Sequence, residues 1–274
     1  MIRIDYNYIL NLIQENKIDD CHKYIRTIIP QFLYKYYYLY DENSRKNQEE
    51  NEKRFNTLAE NKIWLSKFEA FNDLFESKYE YIDTQKLKKS RYTDADIEMI
   101  KKINEGFDQA YVATSFSTHL TDCMPLWAHY SNNYKGYCVK YKVVDSSNIY
   151  PVFYEESRVA STITARLTYN FIKRICQKSD EVENAINRDM FLSVLSRCVK
   201  HKSWEYEDEF RILICSECNK HSCDDLGLEP IKIYAGFNIT PNHLKRLQDI
   251  SSNLGLGSVS HCKISDNKYE LDFE

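Results

Sequence analysis

Glycine and proline are scarce in this 274-residue chain, with six and five residues respectively. So few turn formers leave no Gly/Pro-rich linker, and no internal repeat is visible. No run of eighteen apolar residues occurs, so no membrane-spanning helix is expected. The opening MIRIDYNYIL has no basic stretch followed by an apolar one, so no signal peptide is expected either. Neither the G-x-x-x-x-G-K-[ST] loop nor the G-x-G-x-x-G fingerprint is present, so any nucleotide must be held without those loops. Basic charge is not in excess. The net charge of −4 argues against sequence-blind nucleic-acid binding over the whole surface, although it leaves room for a local basic patch.

Nine cysteines and 22 tyrosines stand out among what is present. With no signal peptide expected, and with an odd count, the cysteines read as reduced thiols in a cytoplasmic protein. The excess of Tyr, Asn, Lys and Ile is the usage of an AT-rich bacterial genome. The length suffices for one large core or two smaller ones. The reading favours an N-terminal helical segment over residues 1–30. A single domain over 31–274 follows, with a helical insertion at about 158–200.

Apolar stripes at Ile9, Leu12 and Ile13 and at Tyr24, Ile25 and Ile28 predict two short helices, the second ended by Pro30. The aromatic run FLYKYYYL predicts a strand from Phe32 to Leu39, with Lys35 pointing outward. The wholly polar DENSRKNQEENEKR reads as a mobile loop of the kind that serves as a lid. Arg54 to Glu60 reads as a short helix leading into IWLS, a strand at 63–66. In FEAFNDLFE, Phe68, Phe71, Leu74 and Phe75 would form one apolar face. Asn72 and Asp73 there are either a turn or cap, or a site held by rigid packing. A helix capped by Thr93 or Asp94 should run to Glu105 and stop at Gly106. AYVATSFS predicts a strand ending in the hydroxyls Thr114, Ser115, Ser117 and Thr118, which either cap a turn or bind a polar ligand. Trp127, His129 and Tyr130 fall on a helical turn, and a histidine between two aromatics is usually structural. A strand from Gly136 to Tyr141, another at 149–154, and helices at 161–177 and 180–199 follow. Further strands are expected at 231–234 and 258–263, with a helix opened by Thr240–Pro241 between them. Strands and helices mix without regular βα alternation, which gives an α+β fold with a mixed, mainly antiparallel sheet flanked by helices.

The densest chemistry lies in KHKSWEYEDEFRILIC, residues 200–215. If its second half is a strand, Phe210, Ile212 and Ile214 face a core while Glu207, Glu209 and Arg211 form a row on the opposite face. A solvated row with weak ion pairs is the plain alternative. Cys215, Cys218, His221 and Cys223 lie within nine residues, but no second C-x2-C follows. A zinc site is therefore not assigned.

Several stretches together resemble a bacterial family known only as a domain of unknown function. The family's motifs run "YKY", "iWlS…FNDPFE", "cFS…MWAHYa…hkG" and "K…W.YE.E.R". Here they read Tyr34–Tyr36, Ile63–Glu76, Thr114–Gly136 and Lys200–Arg211, so the resemblance spans about Phe32 to Phe237. Leu74 replaces the family's Pro, and Leu126 a frequent Met. The order of elements also resembles the ADP-ribosyltransferase fold. There an early strand carries Arg or His, a middle strand a hydroxyl motif, and a late strand E-x-E. Lys35, which departs from Arg or His, Ser115 with Ser117, and Glu207-x-Glu209 fall at those places. That resemblance implies NAD as substrate, with Glu209 stabilising charge and Glu207 orienting or deprotonating an acceptor. It further implies Ser115 and Ser117 at the ribose, Trp127 or Tyr130 against nicotinamide, and Lys35 or Arg211 at the pyrophosphate. Tyr36, Asn72, Asp73 and His129 complete the candidate binding set. The acceptor would be protein, RNA or DNA, and such an enzyme would act as a toxin or defence effector paired with a neutralising antitoxin. Two other readings are a nuclease or nucleic-acid-binding module, with aromatics among Lys and Arg at 35–38 and 200–204, and a non-catalytic protein-interaction domain.

Overall fold

The computed structural model describes residues 6–15, 17–78, 80–160 and 190–274. Helices α1 (Tyr6–Gln14) and α2 (Ile18–Ile28) lead into strand β1 (Phe32–Tyr37), helix α3 (Arg45–Ala59) and strand β2 (Lys62–Trp64). After β3 (Glu80–Tyr81) come α4 (Thr84–Lys89), α5 (Asp94–Ala110), β4 (Tyr111–Ser117), α6 (Met124–Tyr130) and β5 (Tyr137–Val143). Short strands β6 (Ile149–Pro151), β7 (Phe153–Glu155), β8 (Val159–Ala160) and β9 (Val199–His201) precede β10 (Glu209–Cys215) and β11 (Lys220–Ser222). Strand β12 (Leu228–Ala235), a C-terminal helix (Pro241–Asn253), β13 (Ser260–Ile264) and β14 (Leu271–Phe273) complete the chain. The helix expected at 161–177 lies outside the described residues. Of the one expected at 180–199, residues 190–196 are described and helical.

The main sheet has eight strands in the order β14-β13-β12-β5-β1-β4-β10-β6. Only the β12–β13 pair is parallel, so the fold is α+β with a mixed, mainly antiparallel sheet flanked by helices. Each face covers its own apolar cluster. Leu33, Phe116, Val139, Phe210, Ile212 and Ile233 meet Phe55, Leu58, Leu247 and Ile250 from α3 and the C-terminal helix. On the other face Ala113, Tyr150 and Leu213 meet Ile9, Ile13 and Ile25 from α1 and α2, and Phe191 and Leu195 from the 190–196 helix. The alternation along β4 and β10 therefore feeds two cores at once.

The polar stretch read as a mobile loop is mostly helix. Ser44 caps α3 by accepting from the Asn47 backbone N–H at 3.2 Å, and Asn51, Phe55 and Leu58 make a narrow buried stripe. The capping box at Thr93 is present, but α5 runs through Gly106 to Ala110. FEAFNDLFE does not bury one apolar face. Phe68 is enclosed, whereas Leu74 is 83% exposed and Phe75 55% exposed. At Gly136 a side chain would meet the Tyr37 carbonyl oxygen at 2.0 Å, so the entry to β5 requires glycine.

One irregularity positions the site. Strand β1 pairs with β5 along its whole length but with β4 only at Tyr34 opposite Ser117. Ser66 takes over the next part of the β4 edge, exchanging two backbone hydrogen bonds of 2.8 Å with Ala113. The sheet is thus parted beside the hydroxyl-bearing half of β4.

Candidate active site

Strand β10 lies against β4 with Glu209 opposite Ser117 and Arg211 opposite Ser115. Its Glu209 and Arg211 side chains do share a face, but they are 3% and 0% exposed, so no solvated charge row exists. Glu207 is not in that strand. It ends a 3-10 segment, Lys202–Glu207, and Asp208 follows with φ 41°, in the left-handed region. Asp is among the few side chains that tolerate this conformation. The Thr118 hydroxyl holds the Asp208 carboxylate. The turn brings Glu207 and Glu209 together around one ammonium group.

That ammonium is Lys200, from β9. Its Nζ donates to Glu207 Oε2 at 2.5 Å and to Glu209 Oε2 at 3.0 Å. Glu209 Oε1 accepts from Arg211 Nε and Nη2 at 2.9 and 2.8 Å, and from the Ser115 hydroxyl. Arg211 Nη1 donates to Glu76 Oε1 at 2.6 Å and to the Arg197 carbonyl. The Tyr130 hydroxyl donates to Glu207 Oε1, and the Tyr154 hydroxyl accepts from the Glu209 backbone N–H at 2.9 Å. Three buried carboxylates thus face two buried cations. Such groups survive out of water only because nearly every lone pair and proton is used.

The two central carboxyls are pushed apart in acidity. Burial raises Glu207, and the neighbouring Glu209 charge raises it further, outweighing Lys200 and the Tyr130 hydrogen bond. Burial also works against ionised Glu209, but Arg211 and Lys200 override it and hold that carboxyl at about 2. Glu76 is raised, chiefly by burial, despite Arg211. Lys200 and Arg211 are opposed by burial but held charged by these acids. Glu209 is therefore held as the anion of the pair, and Glu207 is its partner able to change protonation.

A cavity of about 220 Å³ opens over this pair, at the parting between β1 and β4. Glu207, Glu209 and Lys200 form part of its lining, as do Ser115, Ser117, Tyr36, Tyr130, Asn72 and Asp73. Lys35 enters from β1, donating to Thr114 Oγ1 at 2.5 Å. Burial lowers Lys35 to about 8, with Glu209 partly restoring it. Of the hydroxyls, Ser117 is already engaged. It donates to the Glu207 carbonyl at 2.6 Å and accepts from the His119 N–H. Ser117 thus fixes the turn, while the Ser115 hydroxyl faces Glu209.

Three candidates fall elsewhere. Trp127 is wholly enclosed, its indole N–H bonded to the Leu120 carbonyl at 2.8 Å and its ring packed on Tyr36 and Tyr134. It supports the wall from behind and has no face free for a ligand ring. His129 is exposed beside Tyr206 and does not line the cavity. Arg211 lies behind Glu209, saturated by Glu76 and Glu209, and cannot also meet a pyrophosphate. Asn72 and Asp73 sit in a turn, with Asp73 Oδ1 accepting from the Phe75 N–H at 2.9 Å, and also line the cavity. Away from the site, Cys215 and Cys218 are exposed, Cys223 is buried, and His221 bonds to the Cys218 carbonyl. Among the described residues no group of three or more His, Cys, Asp or Glu is placed to hold a metal.

The geometry adds Glu76 and Lys200 to the set. Both stood in plain view as the last letter of FNDLFE and the first of KHKSWEYEDEFR. Their signal was position at a motif's end, which no periodicity argument weighs.

Residues 126–212 match the family model described as a protein of unknown function, DUF2971. The matched stretch holds Trp127, Tyr130, Lys200, Glu207, Glu209 and Arg211, and so most of the ionic cluster. No curated protein and no solved structure matches the chain. Among the described residues no helix is long and apolar enough to cross a membrane.

Proposed function

We propose that this protein cleaves the nicotinamide–ribose bond of NAD and transfers the ADP-ribose to a macromolecular acceptor. The observation that carries the reading is the Glu207–Glu209 pair, bridged by Lys200 and driven to opposite acidities on one cavity wall. Paired carboxyls with divergent acidities mark an acid–base partner beside a fixed charge. Breaking the glycosidic bond develops positive charge on the ribose and releases neutral nicotinamide, which needs no proton from the protein. Glu209, ionised at every working pH, supplies the opposing charge from a preorganised, water-poor wall. Glu207 takes the proton from the attacking acceptor group, and its raised pKa makes it a stronger base than a free carboxylate. Tyr130 and Lys200 hold it in place.

The residues present fit this substrate at one end. The 220 Å³ cavity is smaller than the roughly 300–1,000 Å³ usual for ligand sites, so it suits the nicotinamide riboside end alone. Tyr34, Tyr36, Phe71 and Tyr130 offer ring surface there, Ser115 would meet the ribose from its place on Glu209, and Lys35 would supply a cation for phosphate.

The test is incubation of the purified protein with NAD labelled in its adenylate, together with bacterial lysate, followed by nuclease or protease digestion. Label on a macromolecule, released by one digestion, is expected. Glu209→Gln should lower the rate about 10²–10³-fold, read under conditions where circular dichroism shows the variant folded. Undiminished labelling by Glu209→Gln, or no NAD consumption by the wild type, would contradict the assignment.

A further inference from the structure

A second cavity, of about 570 Å³, lies on the far side of Asn72, Asp73 and Lys200, which line it and the first cavity alike. We infer that this second cavity is a subsite for a nucleobase with its ribose, and that Asp73 accepts a hydrogen bond from that ligand at the boundary between the two cavities. The inference rests on the proposed transfer reading for the subsite's role, as the place where an acceptor nucleoside waits beside Glu207. It does not rest on that reading for the binding itself.

Four observations carry it. The volume falls within the usual range for small-molecule sites. Two aromatic side chains, Phe75 and Trp204, line the space, and Phe75 is left 55% exposed by a loop whose other phenylalanines are tucked in further. Phe75 is exposed and Trp204 half-buried, with Arg158 and Lys200 near their rings, and aromatic stacking surface of this kind is worth a factor of several to a hundred or so per base. The lining charges balance, with Lys78, Arg158 and Lys200 against Asp73, Glu155 and Glu156. A balanced wall suits a polar, uncharged ring and sugar better than a polyanion.

The fourth observation is the most specific. Asp73 is held in one orientation because its Oδ1 accepts from the Phe75 N–H. Its Oδ2 is closed off from bulk solvent and has no hydrogen-bond partner. A buried carboxylate oxygen without a donor is costly, and each such atom calls for an explanation. A ligand hydroxyl or ring N–H supplies the missing donor.

The probe is adenosine, titrated against the full-length protein and followed by tryptophan fluorescence and by calorimetry. Binding is expected, with a change in indole emission. Trp204→Leu should weaken it roughly 5- to 100-fold. Asp73→Asn, which replaces an acceptor oxygen by a group able to present a donor, should weaken it about tenfold. If Trp204→Leu fails to fold, Asp73→Asn alone decides. Glu209→Gln should bind adenosine as the wild type does, which separates this subsite from the NAD chemistry. Adenylate and a short single-stranded oligonucleotide serve as further arms. Oligonucleotide binding tighter than adenosine identifies a nucleic-acid strand as the source of the nucleoside, whereas equal binding identifies a free nucleoside. Absence of adenosine binding, or binding indifferent to Trp204→Leu and Asp73→Asn, would overturn the inference. So would binding abolished by Glu209→Gln alone, which would place the ligand in the first cavity.

Discussion

The two faces of β10 solve the same problem by opposite means. Phe210 and Ile212 point into an apolar cluster shared with β4 and β5, while Glu209 and Arg211, one residue away in each case, are just as deeply buried among charges. The apolar face gains free energy in proportion to area removed from water. The ionic face spends a large desolvation cost and recovers it only through its complete set of partners. A core needs only volume and shape, and a neighbour can relax into a defect. The ionic cluster has no such slack, because each group neutralises the next. Burial at this cost on one face of a strand whose other face packs conventionally marks the charged side as the one kept for chemistry.

Breaking the cluster should expose that difference most strongly. Arg211→Met leaves Glu76 and Glu209 buried without their shared guanidinium, and should lower the unfolding free energy in urea by about 3–5 kcal/mol. Combining it with Glu76→Leu should cost less than the sum of the two single changes, by about 0.5–3 kcal/mol, because the second change removes a charge the first had orphaned. Strict additivity would mean that the two do not interact. On the other face, Ile212→Val removes one buried methyl group and should cost only about 0.5–1.5 kcal/mol by the same measurement.

The pH dependence of stability sharpens the contrast, since Glu209 and Arg211 ionise while Phe210 and Ile212 on the other face of β10 do not. Glu209 is held at about 2 against an ordinary 4.5, so it stabilises the fold above 4.5 and loses that contribution as pH falls from 4.5 towards 2. Glu207 and Glu76 are shifted upward and act in the opposite sense. The fold binds their protons more tightly than the unfolded chain does, so their contribution favours the fold at low pH and fades as pH rises through their raised values. Lys35 lies at about 8 against an ordinary 10.5, so the unfolded chain binds more protons between those values and stability rises with pH across that window. Lys35→Met should flatten that rise in the urea midpoint between pH 8 and 10.5. An unchanged slope would show that Lys35 titrates as a solvated lysine.

Much of this architecture was legible in the sequence. The alternation through Phe210, Ile212 and Ile214 identified β10, Thr93 and Thr240–Pro241 announced their helices, and AYVATSFS marked β4 almost to the residue. The errors have physical causes. Only the end of helix α3, from Arg54, is legible as helix, because its buried stripe is only Asn51, Phe55 and Leu58 in a strongly polar segment. The stretch 149–154 divides, because β6 joins β10 in the main sheet while β7 leaves it at Val152 to pair in parallel with β9. Glu207 looked continuous with the strand because nothing in EYEDEF announces that Asp208 adopts a left-handed turn. Of the candidate site, Glu209 could be named from the strand alternation, and Ser115 and Lys35 only through the resemblance in order of elements. The bridging of Glu207 to Glu209 by Lys200, and the clamp of Glu76 on Arg211, join residues up to 135 positions apart and follow only from the folded sheet.

The account depends on two adjacent carboxyls with opposite acidities, and a carbon-13 NMR titration of the Glu side-chain carboxyls measures this directly. Glu207→Gln and Glu209→Gln would each remove one signal and so assign the pair. The expected result is one carboxyl titrating above 4.5 that disappears in Glu207→Gln, and one titrating far below it that disappears in Glu209→Gln. Both titrating together near 4.5, or in the reverse order, would contradict the assignment of fixed anion and proton acceptor on which the proposed chemistry stands.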